Sequence, residues 1–299
     1  MTPAAEWRCA GLRWDPSGPA LVWRHGTRGE RTSPLPPGRP LAFTTGARRE
    51  CAGVTRGARH TPCPAAAEVS DSAVSAQCPD CARLDRSYSV AADTRTDDPR
   101  PYDVYLAWFA PGLIKVGITA AEREGARLLE QAALSFTLLG RGPLMAARRA
   151  EAVLGAGLGV PDRFPYTAKR AARRDPPERE TRAAELAALH GRARALPGLP
   201  ESLAAAPFAP VHHDAVFHLD RVRGAGAAHG VVSLAAGRTV AGEVEAVAGP
   251  DVYLRAADGR GLLLDVRQLA GWALEAAAPD AVATAQVRFP AAPEPEALF

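Results

Sequence analysis

The stretch from Val104 to Glu151 leaves the chain least freedom in how it folds. Val104-Tyr105-Leu106-Ala107-Trp108-Phe109 and Leu113-Ile114-Lys115-Val116-Gly117-Ile118-Thr119 are two runs of β-forming residues, and Pro111-Gly112 sits between them. Such runs joined by a tight turn predict a β-hairpin. Arg127 to Leu134 then carries apolar residues at helical spacing, Phe136 to Leu139 reads as a third strand, and a later helix places Ala150, Val153 and Leu154 on one side. Glu151 rides on that helix.

A chain of 299 residues buries a sizeable core and divides into two or three units. Its hydrophobic content of 47% excludes general disorder. No apolar run reaches the roughly 18 residues that cross a bilayer, and the N-terminus lacks the charged-then-apolar pattern of a secretory signal. The expectation is a cytoplasmic protein without a membrane partner. A net charge of +3 permits nucleic-acid binding without arguing for it.

The two lysines, Lys115 and Lys169, stand out because every other basic side chain among 36 is arginine. Arginine stays protonated at any usable pH, whereas a desolvated lysine can lose its proton and act as a base. Lys115 therefore reads either as a functional group or as an ordinary strand-end charge.

Ahead of this centre, Trp7 to Trp14, a turn at Asp15 to Pro19, and Ala20 to Trp23 predict another hairpin. Trp7, Trp14 and Trp23 read as packing residues before an aromatic platform for bases. Ser33 to Pro40 is a proline-stiffened connection, and Leu41 to Thr45 returns to strand. Cys51, Cys63 and the knuckle Cys78-Pro79-Asp80-Cys81 then present four thiolates to one tetrahedral ion. Disulfides are disfavoured in a cytosolic chain, and a redox C-x-x-C expects a helix after it, where this segment reads as proline- and serine-rich loop. A structural zinc is the expectation. His60 is a substitute ligand for Cys63 that four cysteines make unnecessary, and Cys9 is left as a buried thiol.

Asp97-Asp98-Pro99 links into the central hairpin, and Glu130 rivals Glu151 as a metal carboxylate. Arg163, Lys169, Arg170, Arg173 and Arg174 make the densest basic patch, either a phosphate-binding surface or a solvated face. Asp175 reads as the cap of a helix running through Leu186 and Leu189 to about Leu196. Pro197 to Pro210 is a linker. His212, His213 and His218 cluster without the spacing of a helical metal pair, so a second metal site is the lesser reading. After Gly224 the pattern is all β: Val231 to Leu234, Thr239 to Val247, Val252 to Arg255 and Leu262 to Val266, a small meander or open barrel able to take up the N-terminal strands. Pro290 to Phe299 reads as a frayed tail.

A tyrosine in the first central strand, Lys115-Val116-Gly117 closing the second, Arg127 on the next helix and Glu151 on a later one resemble the GIY-YIG nuclease domain. Lysine replaces the founding pattern's tyrosine at 115, and Arg127 lies two residues further on than usual. With the four cysteines alongside, the chain also resembles the bacterial family DUF2797. The fold class expected is α+β: a GIY-YIG-like central unit with a three-stranded sheet and helices, preceded by a zinc-binding loop region and flanked by β-rich N- and C-terminal segments. Its divisions are residues 1–50, 51–100, 101–196 and 211–289. The resemblance implies a metal-dependent endonuclease acting on nucleic acid, with DNA as the expected partner. Glu151 would hold a catalytic Mg or Mn ion, Arg127 would neutralise charge, and Tyr105 or Lys115 would serve as base. The rival reading is a non-catalytic module, containing zinc, that binds nucleic acid or protein on a degenerate nuclease fold.

Overall fold

A computed structural model describes residues 6–56, 59–86, 98–160, 164–222 and 229–289. Asp97, Arg163, Gly224 and the predicted tail from Pro290 lie outside them. The chain begins with β1 (Arg8–Asp15), β2 (Gly18–His25), β3 (Gly29–Pro34) and β4 (Pro40–Arg49), then β5 (Val54–Arg56), β6 (Arg59–Thr61) and the helix α1 (Pro79–Arg86). It continues through β7 (Pro101–Ala110), β8 (Leu113–Ala120), α2 (Ala126–Glu130), β9 (Ser135–Pro143), α3 (Leu144–Leu158), α4 (Tyr166–Arg174) and α5 (Arg179–Ala195), followed by β10 (Ala204–Ala205) and β11 (Val211–His212). Last come β12 (Gly230–Ser233), β13 (Thr239–Ala248), β14 (Asp251–Arg255), β15 (Gly261–Asp265), β16 (Trp272–Ala276) and β17 (Gln286–Arg288). The class is mixed α+β, rich in sheet. No helix among the described residues is long and apolar enough to cross a membrane.

Two compact units result. One gathers Met1–Arg13, Pro19–Asp85 and Ala225–Phe299; the other holds Trp14–Gly18 and Arg86–Gly224. The first unit is built on a ten-stranded sheet in the order β17-β12-β15-β14-β13-β4-β16-β1-β2-β3. Strand β4 is the join: Phe43 pairs Val240 of β13 on one side and Ala276 of β16 on the other. The C-terminal strands thus take up the N-terminal ones in a single sheet, the arrangement that the sequence pattern allowed. Strand β3 was not foreseen, because Gly29–Pro34 is polar and exposed; it sits at the sheet's edge, where a terminal proline costs no ladder bond.

Arg49, fully buried at the end of β4, ties the cysteine segment to this sheet. Its guanidinium donates to the carbonyls of Ser70, Asp71 and Ala73 on one side and to those of Arg267 and Ala270 on the other, at 2.7–3.3 Å. Burial pushes its pKa down, and the Asp71 charge pulls it back up.

In the second unit the strand order is β10-β9-β7-β8, with β11 also on β9. Strand β7 is central and buried along almost its whole length, as expected of a strand covered on both faces. Cross-strand pairing sorts its side chains: Tyr105 faces Gly117 and Leu138, while Ala107 faces Lys115 and Phe136. Tyr105, Ala107 and Phe109 pack with Leu128, Ala133 and Phe164. The alternate residue Trp108 turns to α5, where its indole donates to Glu185 at 2.9 Å.

Three helical expectations need correction. α2 stops at Glu130 instead of reaching Leu134, because Ala132 adopts φ of 59° and turns the chain into β9. α5 starts at Arg179 after Glu178, not after Asp175. Pro176 and Pro177 hold the intervening chain extended. The basic segment is not a solvated face: α4 buries Lys169 and Arg173, leaving Arg174 exposed.

Candidate metal centre and candidate active site

Cys51 follows β4, Cys63 follows β6, and Cys78 and Cys81 bracket the start of α1. Their four sulfurs all lie within 4.8 Å of one another. Four ligands about 2.3 Å from a tetrahedral zinc stand about 3.8 Å apart, and Cys63 Sγ to Cys78 Sγ is 3.9 Å. All five cysteines of the chain are free thiols. The Cys78 amide donates to Cys51 Sγ at 3.2 Å. The Cys81 amide, donating to Cys78 Sγ, brings that thiol down to about 7, while burial raises Cys51 and Cys81. An all-thiolate set is soft and closed, so it is compatible with a structural metal such as zinc.

Local structure explains why the thiols meet. Gly53 adopts φ of 70°, and a Cβ there would stand 2.2 Å from the Thr61 carbonyl, so only glycine lets the chain turn beneath β6. The amides of Cys51 and Ala52 are held by Ala67 and Ala76. A helix does follow the C-x-x-C, contrary to the sequence argument against a redox pair. The approach of Cys51 and Cys63 is what distinguishes this site. His60 is not a ligand: its Nε2 bonds the Ala52 carbonyl at 2.8 Å. Cys9 is buried elsewhere, and burial lifts it to about 12.

The second centre forms around the Tyr105 hydroxyl. Only 1% of this residue is exposed. Gln131 Nε2, at the end of α2, donates to Tyr105 Oη at 3.1 Å and to the Arg127 carbonyl at 3.2 Å. Burial pushes the phenol's pKa up. The Gln131 bond and the charges of Arg127 and Arg123 pull it down, and the Glu151 carboxylate raises it further. Side chains from α2, from the 3-10 turn Ala121–Arg123 and from α3 therefore act on one oxygen.

Gly117 has a steric reason. A Cβ there would sit 2.4 Å from Tyr105 Oη, so the glycine of Lys115-Val116-Gly117 makes the space that the phenol fills. Gly117→Ala is expected to cost about 1–3 kcal/mol, as overpacking a buried site does. Chemical denaturation checks this, and an unchanged midpoint would show that the ring moves aside freely.

Lys115 lies on edge strand β8, half-buried, on the Tyr105 face of the sheet. Arg127 is half-exposed, and both it and Arg123 pair with Glu130, at 3.6 and 2.5 Å. Glu130, the rival carboxylate, is thus committed to two arginines. Arg123 and Gln131 had no role in the sequence reading, since neither belongs to the short motif. Lys169 joins the same face: its ammonium lies 3.9 Å from the Phe109 ring centroid and donates to the Gln131 carbonyl at 3.4 Å. It is buried at 7% exposure on a helix rich in arginine, although its rarity as a lysine had already set it apart in the sequence.

The three histidines do not gather around a metal. His212 Nδ1 bonds Ser135 at 2.8 Å, His213 Nδ1 donates to the Ala133 carbonyl at 2.7 Å between Phe136 and Phe217, and His218 forms a left-handed turn. Among the described residues, the four cysteines are the one group of side chains placed to share an ion.

No curated protein and no solved structure matches this chain. Residues 38–274, which take in the four clustered cysteines, the Tyr105 centre, β4 and β13, match the family described as protein of unknown function (DUF2797), and the chain belongs to that family.

Proposed function

We propose that the second unit hydrolyses phosphodiester bonds in DNA with a divalent cation, in the manner of the GIY-YIG nucleases that it resembles. What supports this is that the charges of Arg127, Arg123 and Glu151, on three separate elements, act on the buried Tyr105 hydroxyl, which Gln131 bonds at 3.1 Å. Glu151 offers a hard oxygen donor of the kind that holds Mg or Mn together with water and phosphate oxygens. A cation bound there supplies positive charge at the scissile phosphate. Arg127, joined by Arg123, offsets the charge that develops on the phosphoryl oxygens. Burial raises the pKa of Tyr105, and the base is drawn from Tyr105 or Lys115. Lys115 fills that role in its neutral form, which desolvation or a neighbouring cation favours.

The test is cleavage of labelled DNA with Mg²⁺ or Mn²⁺ by wild type, Glu151→Ala and Lys115→Arg, each with its melting temperature. Glu151→Ala and Lys115→Arg should both lose activity by about 100-fold or more while staying folded. A guanidinium keeps the charge but cannot take up a proton at usable pH. A fully active Lys115→Arg would remove Lys115 as base. The commitment of Arg123 and Arg127 to Glu130 favours a second reading, a non-catalytic nucleic-acid-binding module, and a folded wild type that binds DNA but never cuts would establish it.

For the first unit we propose one zinc held by Cys51, Cys63, Cys78 and Cys81. Four thiolates leave no open position for water, so the ion stabilises the fold and takes no part in chemistry.

A further inference from the structure

The first unit contains a groove of about 670 Å³ lined by Trp7, Arg8, His25, Arg28, Arg31 and Arg48, with Glu6 and Glu275 as its acidic members. Its floor is the sheet where β4, β16 and β1 run side by side, and its wall is the β2–β3 hairpin. Four arginines and two glutamates line it, and with Glu6 and Glu50 paired to Arg8 and Arg48 its free positive charge rests on Arg28 and Arg31. Arg8 and Arg48 are held in place by Glu50, at 2.8 and 2.6 Å. Arg28 and Arg31 are exposed, and neither has a carboxylate partner among the described residues. The Arg31 guanidinium lies 4.2 Å from the Trp7 ring centroid, and the Trp7 and His25 rings are 5.3 Å apart. Cationic groups for phosphates thus stand beside planar groups for bases.

We infer that this groove binds single-stranded nucleic acid, with Arg28 and Arg31 on the phosphates and the Trp7–Arg31–His25 group stacking an unpaired base. A duplex keeps its bases stacked on each other and has no use for such a platform, whereas single strands are held by arginine funnels with aromatic or guanidinium planes. An acidic peptide would satisfy the arginines and leave the rings idle. The groove belongs to the first unit and does not rest on the hydrolase reading of the second.

The experiment is fluorescence anisotropy of a labelled single-stranded oligonucleotide with the full chain, without divalent ions, so that binding is read and cutting is not. At about 0.1 M salt, Arg28→Glu with Arg31→Glu should weaken binding at least about tenfold, and the slope of log K against log salt should flatten by about 1.4, the share of two phosphate contacts. Trp7→Ala should weaken binding about tenfold by removing the stacking surface, with little change in that slope. Arg28→Glu alone alters an exposed side chain, so it tests the groove even if another variant fails to fold; melting temperatures identify such a failure. Absence of binding, affinity unchanged by these substitutions, tighter binding of duplex than of single strand, or displacement by polyglutamate as effective as by oligonucleotide would each overturn the proposal. A chain that binds here but never cuts leaves the groove standing and removes only the hydrolase.

Discussion

Treating this protein with a strong chelator, to strip the proposed zinc, is expected to melt the cysteine segment and lower the melting temperature by more than about 10 °C, since each kcal/mol lost moves a unit of this size by about 2–4 °C. Structural zinc in small all-protein sites contributes apparent binding energies of about 10–16 kcal/mol, part of which is consumed in folding the loops that hold it. The segment has little else to hold it. The apolar groups packed around the sulfurs are Val54, Val69, Ala67 and Ala73, mostly small side chains, and its regular structure amounts to the short strands β5 and β6 and the eight-residue helix α1. Arg49 anchors one side of the loop through Ser70, Asp71 and Ala73, but the Cys78–Cys81 turn lies beyond that anchor. Elemental analysis should give about one zinc per chain, and Cys81→Ser should lose the metal and destabilise as chelation does. Cys9→Ala removes a buried thiol outside the cluster, so it should keep the metal. A metal-free chain that melts at the same temperature would show that packing alone holds the segment.

What the sequence discloses of this fold follows from how local the cause is. The hairpin of β7 and β8 is legible because two β-rich runs flank a Pro-Gly turn, and the turn glycine Gly112 does adopt φ of 67°. The cysteine cluster is legible because ligand chemistry requires the residue type itself. The pairing of β4 with β13 and β16 has no local cause: Thr44 meets Thr239 and Glu275 across most of the chain, and nothing in Leu41 to Thr45 names those partners. Helix α2 misleads for a related reason. Its apolar spacing continues to Leu134, but the demand that β9 pair with β7 turns the chain at Ala132 first.

The site shows the same division. Tyr105 and Gly117 can be found from a motif because one fills the space that the other vacates. Arg123 and Gln131 cannot, since their part depends on where a five-residue helix ends. Basic residues misled most. Arg173 and Lys169 on α4, and Arg182 on α5, are inward-facing, whereas a run of arginines reads in one dimension as a charged surface. A long side chain can carry its charge inside where carbonyls, rings or a carboxylate receive it, and composition does not show which will do so.

Arg182 offers the second large effect, because its charge is buried against a buried partner. It donates to both oxygens of Asp214 at 2.9 and 2.7 Å and to the Leu134 carbonyl at 3.3 Å, and its guanidinium lies 5.8 Å from the Trp108 ring centroid. Both residues are almost inaccessible to solvent. Arg182→Met would take from the Asp214 carboxylate the donor that reaches both its oxygens, with the half-exposed Arg179 lying at 3.6 Å. Asp214→Leu would leave a guanidinium in the interior with the Leu134 carbonyl and the Trp108 ring but without this carboxylate. Each single substitution should therefore destabilise the second unit by about 3–5 kcal/mol. The double substitution removes both charges together, and exchanging a buried pair for apolar side chains is often close to neutral. It should cost well under the sum of the two singles, giving a coupling of about 2 kcal/mol or more. Denaturant unfolding of the wild type and three variants reads this directly. Additive losses would mean that Arg182 acts through its carbonyl bond and its packing on Trp108, not through Asp214. Because α5 backs the face of β7 opposite Tyr105, a strongly coupled pair would also make the singles, more than the double, loosen the strand that carries the hydroxyl.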